Sequence, residues 1–308
     1  MKPKQLVPLI LLAFIWGCYY VASQQALKGL SVFTMGIVIR FLTMILLLII
    51  MGAKGELPLL LKVEGILPRL LLIGMLGFAL DLTAFIGLTL SPAGSGTALL
   101  KCDIIFVNLI SAIIYKRKFS KADWIFTLVM LFGVLMVMGI DFTNLSLGNK
   151  GDIFFILSAL FVSINAFVIK SVQLDKKNPA ADNVIAFYNN FVTMILFTIT
   201  ATFMGTLGQL TGLVNDHRTL LAATLAGLGQ TGIYLVYYWD LRRFPVWIVK
   251  VFLLLMPLIA TLISFALFDE RMNGNQYIGM VVVLGGALGI LLEQKRKSEK
   301  GENALSGR

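Results

Sequence analysis

The chain has 308 residues, 58% of them hydrophobic and only 14% charged, and its mean hydropathy of +0.89 is far above that of a water-soluble domain. Its net charge of +10 sits mostly in short connecting segments and the C-terminal tail, a pattern of membrane orientation that excludes a nucleic-acid partner. The two cysteines, Cys18 and Cys102, lie in apolar runs and provide no disulfide framework.

Apolar segments of about membrane-spanning length are predicted at 6–27, 31–51, 69–90, 96–114, 124–140, 153–171, 183–204, 219–239, 246–267 and 277–292. They describe an all-α integral membrane protein of ten transmembrane helices. The basic start and the apolar run up to Gly17 and Cys18 have the outline of a signal peptide. Trp16, however, stands where a cleavage site carries a small residue, and apolar character continues through Val21, so a retained first helix is expected. With the N-terminus in the cytoplasm, nineteen lysines and arginines fall on inside segments and four, Lys28, Lys150, Arg218 and Arg271, on outside ones. The positive-inside rule then places both termini on the cytoplasmic side of the cell membrane.

An internal repeat divides the chain. The octet from Arg40 to Leu47 in the second helix matches that from Asn190 to Phe197 in the seventh, with Phe, Thr, Met, Ile and Leu at the same places. Five helices per copy is an odd number, so the second copy enters the membrane upside down. The expected units are a first repeat at 1–140, an extracytoplasmic linker at 141–152, a second inverted repeat at 153–294 and a basic cytoplasmic tail at 295–308. Inverted five-helix repeats are a transporter architecture, with the substrate near the midplane and alternating access by rocking of the halves.

Several short motifs carry a family resemblance. Phe14, Ile15, Trp16 and Gly17 open the first helix, Arg40 and Phe41 lie in the second, and Met256 with Pro257, then Phe268, Asp269, Glu270 and Arg271, close the ninth. A glycine-punctuated run from Gly279 to Ile290 follows in the tenth. In this order they resemble the ten-helix EamA branch of the drug/metabolite transporter superfamily across nearly the whole chain. That resemblance implies an inverted-repeat carrier whose central cavity is lined by helices 1, 3, 4, 6, 8 and 9. It also implies small metabolites as substrates, among them amino acids, nucleotide precursors and amines, many of them exported. The first half departs from the pattern: Ile104 and Arg117 stand where the second half has Pro257 and Glu270, and Lys101 and Asp103 are unusual beside that position.

The candidate site follows from charges where none belong. Arg40, Asp81, Lys101 and Asp103 all fall well inside apolar runs, where a charge costs about 2.5–3.5 kcal/mol even on the lenient insertion scale and marks a substrate or proton route. Together they sum to zero, which also permits buried structural pairs. Lys101 and Asp103, about 200° apart on a regular helix, are expected to face different ways and not to pair, whereas Asn108 shares the face of Lys101. Lys250, about a turn into the ninth helix, suits either the pathway or a stem that snorkels to the surface, and Asp240, Arg242 and Arg243 are expected at the interface. Trp16, Tyr19, Tyr20, Tyr188 and Tyr234 lie deeper than the belt formed by Trp124, Trp239, Trp247 and Tyr277. Some are expected to face the cavity, where rings can stack on a substrate or hold an amine. Asn165 and Asn190, with Asn189 and Gln230, can bond between helices or to a ligand. Pro257 removes a backbone donor in mid-helix and is the expected hinge. Gly285 with Gly289, and Gly133 with Gly139, are expected to let helix backbones approach.

No catalytic motif competes. The single histidine, His217, falls in an outside loop, and there is no HExxH, nucleotide loop or paired-cysteine motif, so no enzyme, cofactor or metal is expected. The expected activity is secondary active transport of a small polar or amphipathic metabolite, an amino acid or related compound first, with export ahead of import. Asp81 or Asp103 is the expected proton-linked carboxylate or substrate anchor, with Lys101 and Arg40 holding an anionic group. Expected partners are the substrate, the lipid bilayer and protons, in a monomer or homodimer. A carrier of cations or amines and a non-transporting scaffold subunit are the alternatives.

Overall fold

A computed structural model describes residues 3–115, 120–137, 149–244, 246–269 and 271–306. These form thirteen α-helices: α1 Pro3–Ala26, α2 Val32–Ala53, α3 Leu67–Leu90, α4 Ala93–Leu99, α5 Asp103–Tyr115, α6 Lys121–Val137, α7 Asp152–Gln173, α8 Asp182–Phe203, α9 Gln209–Leu213, α10 His217–Arg243, α11 Val246–Leu253, α12 Leu255–Phe268 and α13 Gly274–Ser306. Short 3-10 turns occupy Leu57–Leu61 and Leu100–Cys102. There is no strand among the described residues, and α1, α2, α3, α7, α8 and α10 are each long and apolar enough to cross a membrane. The protein is an all-α, multi-pass membrane protein. Lys2, Lys116, Arg117, Lys118, Gly139, residues 141–148, Glu270 and Arg308 lie outside the described residues, as does the side chain of Trp247.

Two of the predicted helices are not continuous. The fourth, expected unbroken over 96–114, is α4, the 3-10 turn at Leu100–Cys102 and α5; Asp103 opens α5, where a carboxylate complements the positive end of the helix. The ninth, expected over 246–267, breaks at Leu254 between α11 and α12. Pro257 explains the second break, because proline cannot donate to the carbonyl four residues back and its ring clashes with that carbonyl. It falls in the first turn of α12, where a missing N–H costs nothing.

Helix ends follow local chemistry. Ser31 caps α2, its hydroxyl accepting from the Thr34 N–H at 3.1 Å, and Asp216 caps α10 by accepting from the Thr219 N–H at 3.1 Å. α2 and α8 finish alike. The N–H of Glu56 donates to the carbonyl of Met51 at 2.8 Å and that of Thr206 to Ala201 at 3.0 Å, each across a left-handed glycine, Gly55 or Gly205.

The helices pack in matched pairs. α1 lies on α10 and α3 on α7; α3 also lies on α8 and α2 on α10; α2 meets α8, and α6 meets α13. Lipid is as apolar as a leucine, so close contact and buried polar bonds, not the hydrophobic effect, hold such helices together. Gly36 on α2 shows the fit, since a Cβ there would meet the ring of Phe197 at 2.4 Å. Gly74 admits Val192 and Gly227 admits Leu42, and the hydroxyls of Thr193 and Thr43 donate to the carbonyls of those same glycines. Between α6 and α13 the expected glycine pair is only half right. Gly289 packs on Phe126, but Gly285 faces open space; Gly286 and Gly279 approach α6 closely, and Gly133 of α6 approaches Val283. Gly279, Gly286 and Gly289, seven and three residues apart, share the face of the tenth helix that meets α6.

Candidate functional site

Mid-membrane positions of α2 and α3 set the first half of the site. Arg40 is 1% exposed and forms an ion pair with Asp81. Its guanidinium also donates to the hydroxyl of Tyr234 and to Asn190 Oδ1, at 3.3 Å for the latter, while Asn190 Nδ2 returns a bond to the Arg40 carbonyl at 2.8 Å. Five fixed donors make arginine suited to binding several partners at once. Asn189 beside it donates to the Tyr238 hydroxyl at 2.8 Å. Arg40, Asp81, Asn189, Tyr234 and Tyr238 line a cavity of about 40 Å³, together with Trp16, Asn165, Gln230 and Tyr237.

The interrupted helices build the second half. Asp103, in the first turn of α5, forms an ion pair with Lys250, in the last turn of α11. Each charge sits at the helix end whose dipole favours it. The break thereby ties the two discontinuous segments to one another, and Ser163 of α7 adds a bond to the Asp103 carbonyl at 3.0 Å. Lys101 is 3% exposed, feels both the attraction of Asp103 and the repulsion of Lys250, and makes no ion pair or hydrogen bond among the described residues. Trp16, Tyr20, Lys101 and Asp103 share a second cavity of about 20 Å³. Trp16, Leu80 and Val162 line both cavities. Three buried cations therefore face two buried carboxylates. Each cavity has room for water but not for a metabolite.

Polar contacts tie the helices together at both ends of this centre. On one side Ser91 donates to Asp152 at 2.8 Å and the Ala93 N–H to Gln24 at 3.2 Å. On the other, Lys170 of α7 donates to the carbonyls of Leu241 and Phe244 at 2.8 and 3.3 Å, and Gln173 to the carbonyl of Tyr238 at 3.0 Å. Arg242 pairs with Asp182 at 2.7 Å, and Arg69 with Asp175 at 2.5 Å. The Arg69 guanidinium, joined by the N–H groups of Asn178 and Lys177, holds the Asp175 carboxyl down at about 2. The Thr219 hydroxyl and N–H likewise hold the Asp216 carboxyl below its ordinary value.

Several expected positions need correction. Lys101 and Asp103 line the same cavity because a 3-10 turn, not a regular helix, joins them. Lys250 does not snorkel; it is 2% exposed and held by Asp103. Asp240, in the last turns of α10, is fully buried by its neighbours. The Tyr188 hydroxyl leaves the centre and donates to the Leu60 carbonyl at 2.8 Å, because the 3-10 turn after α2 folds back over that end of α8. Tyr19 is buried against the Tyr20 ring, and Asn108 is buried on α5, both outside the residues that line the two cavities. Asn190 stands one step behind the cavity, on Arg40. Tyr234 and Asn165 line the cavity at Arg40, Tyr20 lines the one at Lys101, and Trp16 lines both. Tyr237 and Tyr238 were not singled out from the sequence, although their spacing of three and four from Tyr234 places them on its face. Tyr237 stacks edge-on against Trp16 at 5.2 Å.

Among the described residues no group of three or more His, Cys, Asp or Glu could hold a metal ion. The chain is similar to "GDP-fucose transporter 1" of Monosiga brevicollis, 26% identical over 240 residues, which cover 75% of this chain and 69% of that protein. It is also similar to the "Probable amino-acid metabolite efflux pump" of Escherichia coli K12, 21% identical over 302 residues, 93% of this chain and 94% of that one. A crystal structure superposes with a TM-score of 0.67 at 14% identity, covering 96% of this chain and 99% of the other, a likeness of fold. The model of the EamA-like transporter family matches residues 5–139 and again 149–292. The chain belongs to the EamA-like transporter family.

Proposed function

We propose that this membrane transporter is a secondary active carrier of small metabolites that bear an anionic group, with amino acids and related zwitterions first. The observation that carries this reading is Lys101, a buried ammonium left without a described partner beside the Asp103–Lys250 pair. A desolvated charge needs a counter-charge, and a substrate carboxylate or phosphate entering the cavity supplies it. The two relatives are named for a nucleotide sugar and for amino-acid metabolites, both of which carry anionic groups. Asp81, held by Arg40, remains available for an ammonium group, which favours a zwitterion over a simple anion.

The chain is read as ten transmembrane helices in two inverted five-helix repeats, with both termini in the cytoplasm and Pro257 at a hinge. The paired packing supports this: α1 on α10 corresponds to α3 on α7, and α3 on α8 to α2 on α10. The family model also matches once in each half. Parting the polar contacts at either end in turn would give alternating access, and export from the cytoplasm is the favoured direction. A second reading, an amine or cation carrier, is favoured by the rings of Trp16, Tyr20, Tyr234 and Tyr237 around the cavities.

A thermal-shift screen of the purified protein against amino acids, organic acids, phosphate esters, nucleosides and amines tests these readings, since a ligand of the folded state at a hundred times its Kd adds about 2.7 kcal/mol of stability. Zwitterionic or anionic hits that Lys101→Ala abolishes are expected. Amine hits that survive Lys101→Ala would select the second reading, and hits without flux in vesicles would leave neither standing.

A further inference from the structure

Asp240, in the last turns of α10, is 0% exposed, and neither carboxylate oxygen has a hydrogen-bond partner among the described residues. The other carboxylates of the centre differ, since Asp81 is matched by Arg40 and Asp103 by Lys250. The charged groups around the end of α10 are otherwise committed. Lys170 of α7 is spent on the carbonyls of Leu241 and Phe244, Arg242 on Asp182 of α8, and Lys250 of α11 on Asp103. From α2, Lys54 and the following Glu56 line an open groove with Trp239, and Glu56 accepts from Asn183. The side chains of α1 from Val7 to Ile15, which packs along α10, are all apolar or proline. Among the described residues Arg243 is the cation that acts electrostatically on Asp240, and its guanidinium is stacked 3.9 Å from the Trp239 ring.

An ionised carboxylate stripped of water, without hydrogen bond or ion-pair contact, costs far more than the neutral acid. We propose that Asp240 is a proton-binding site, loaded while the end of α10 is clasped by Lys170 and Gln173 and emptied when that clasp opens to water. The clasp is what buries the group: Lys170 and Gln173 bind the carbonyls of Tyr238, Leu241 and Phe244 on both sides of it. Loss of the proton leaves an anion that gains by reaching solvent, so proton release and opening of this end favour one another by linkage. The coupling of this proton to a substrate rests on the carrier reading above; the site itself does not.

Infrared spectroscopy of the full-length protein in lipid vesicles tests the site without any substrate. At neutral pH the wild type should show the carbonyl stretch of an un-ionised carboxylic acid, which Asp240→Asn removes and Asp81→Asn leaves in place. Asp240→Glu, which keeps the acid and shifts the band, serves the same assignment where the amide variant fails to fold. An absent band, or one untouched by both Asp240 variants, overturns the site. Hydrogen exchange of peptides spanning residues 236–244, corrected for intrinsic rate, reads the clasp. Protection should fall with rising pH in the wild type and stay level in Asp240→Asn; a pH-independent wild type overturns the link to opening. Neither measurement needs flux, so a failed transport assay would sink the carrier reading alone, and a missing acid band would sink this site alone.

Discussion

Removing Asp103 should destabilise the protein more than removing its partner Lys250. Asp103→Asn leaves two buried ammonium groups, Lys101 and Lys250, at 3% and 2% exposure, with no carboxylate between them. Breaking a buried pair so that charge is left uncompensated costs about 3–5 kcal/mol. Lys250→Gln instead leaves Asp103 within the electrostatic reach of Lys101, so one cation replaces another and the loss falls to about 1.5–3 kcal/mol, the worth of a hydrogen bond to a charged group. At about 2 °C per kcal/mol for a chain of this size, the two thermal midpoints in the same detergent should differ by roughly 4 °C. The double variant Lys101→Gln with Lys250→Gln should fall back to the level of Asp103→Asn, because the carboxylate is then the orphan. Equal losses for the two single variants, or a larger loss for Lys250→Gln, would refute the idea that Asp103 is shared by two lysines.

Other substitutions follow from packing and from the membrane surface. Gly286→Ala places a Cβ 2.7 Å from Met130 and 3.0 Å from its backbone nitrogen and should cost about 1–3 kcal/mol of overpacking. Gly285→Ala meets nothing within 4 Å and should gain up to about 1 kcal/mol of helix propensity, so denaturation midpoints of the two neighbours should move in opposite directions. Gly36→Ala, against the buried Phe197 ring, should behave like Gly286→Ala in the same assay. Asp175 titrates at about 2 in the folded protein against about 3.9 unfolded. Its contribution to stability is therefore present above about pH 4 and lost as pH falls toward 2. Asp175→Asn should lower stability at neutral pH and flatten the acid limb of the stability curve, and an unchanged acid limb would mean the Arg69 contact is not kept in solution.

What the sequence determined by itself is the class of the protein and the list of groups that do not belong in lipid. Apolar runs of bilayer length read directly as helices, because a membrane leaves the backbone no other way to satisfy its own hydrogen bonds. Arg40, Asp81, Lys101 and Asp103 stood out for the same reason of cost. Only the tertiary structure decided who pairs with whom. Lys250 is 147 residues from Asp103 and Tyr234 is 194 from Arg40, separations that no local periodicity encodes. The broken helices were half legible: Pro257 announces one break chemically, whereas the turn at Leu100–Cys102 contains no proline or glycine and comes from the junction with α7 and α11. The burial of Asp240 and the partner of Tyr188 were illegible for the same reason. Depth along one helix can be counted from the sequence, but burial depends on which neighbours close over the side chain, and that is decided only when the helices pack.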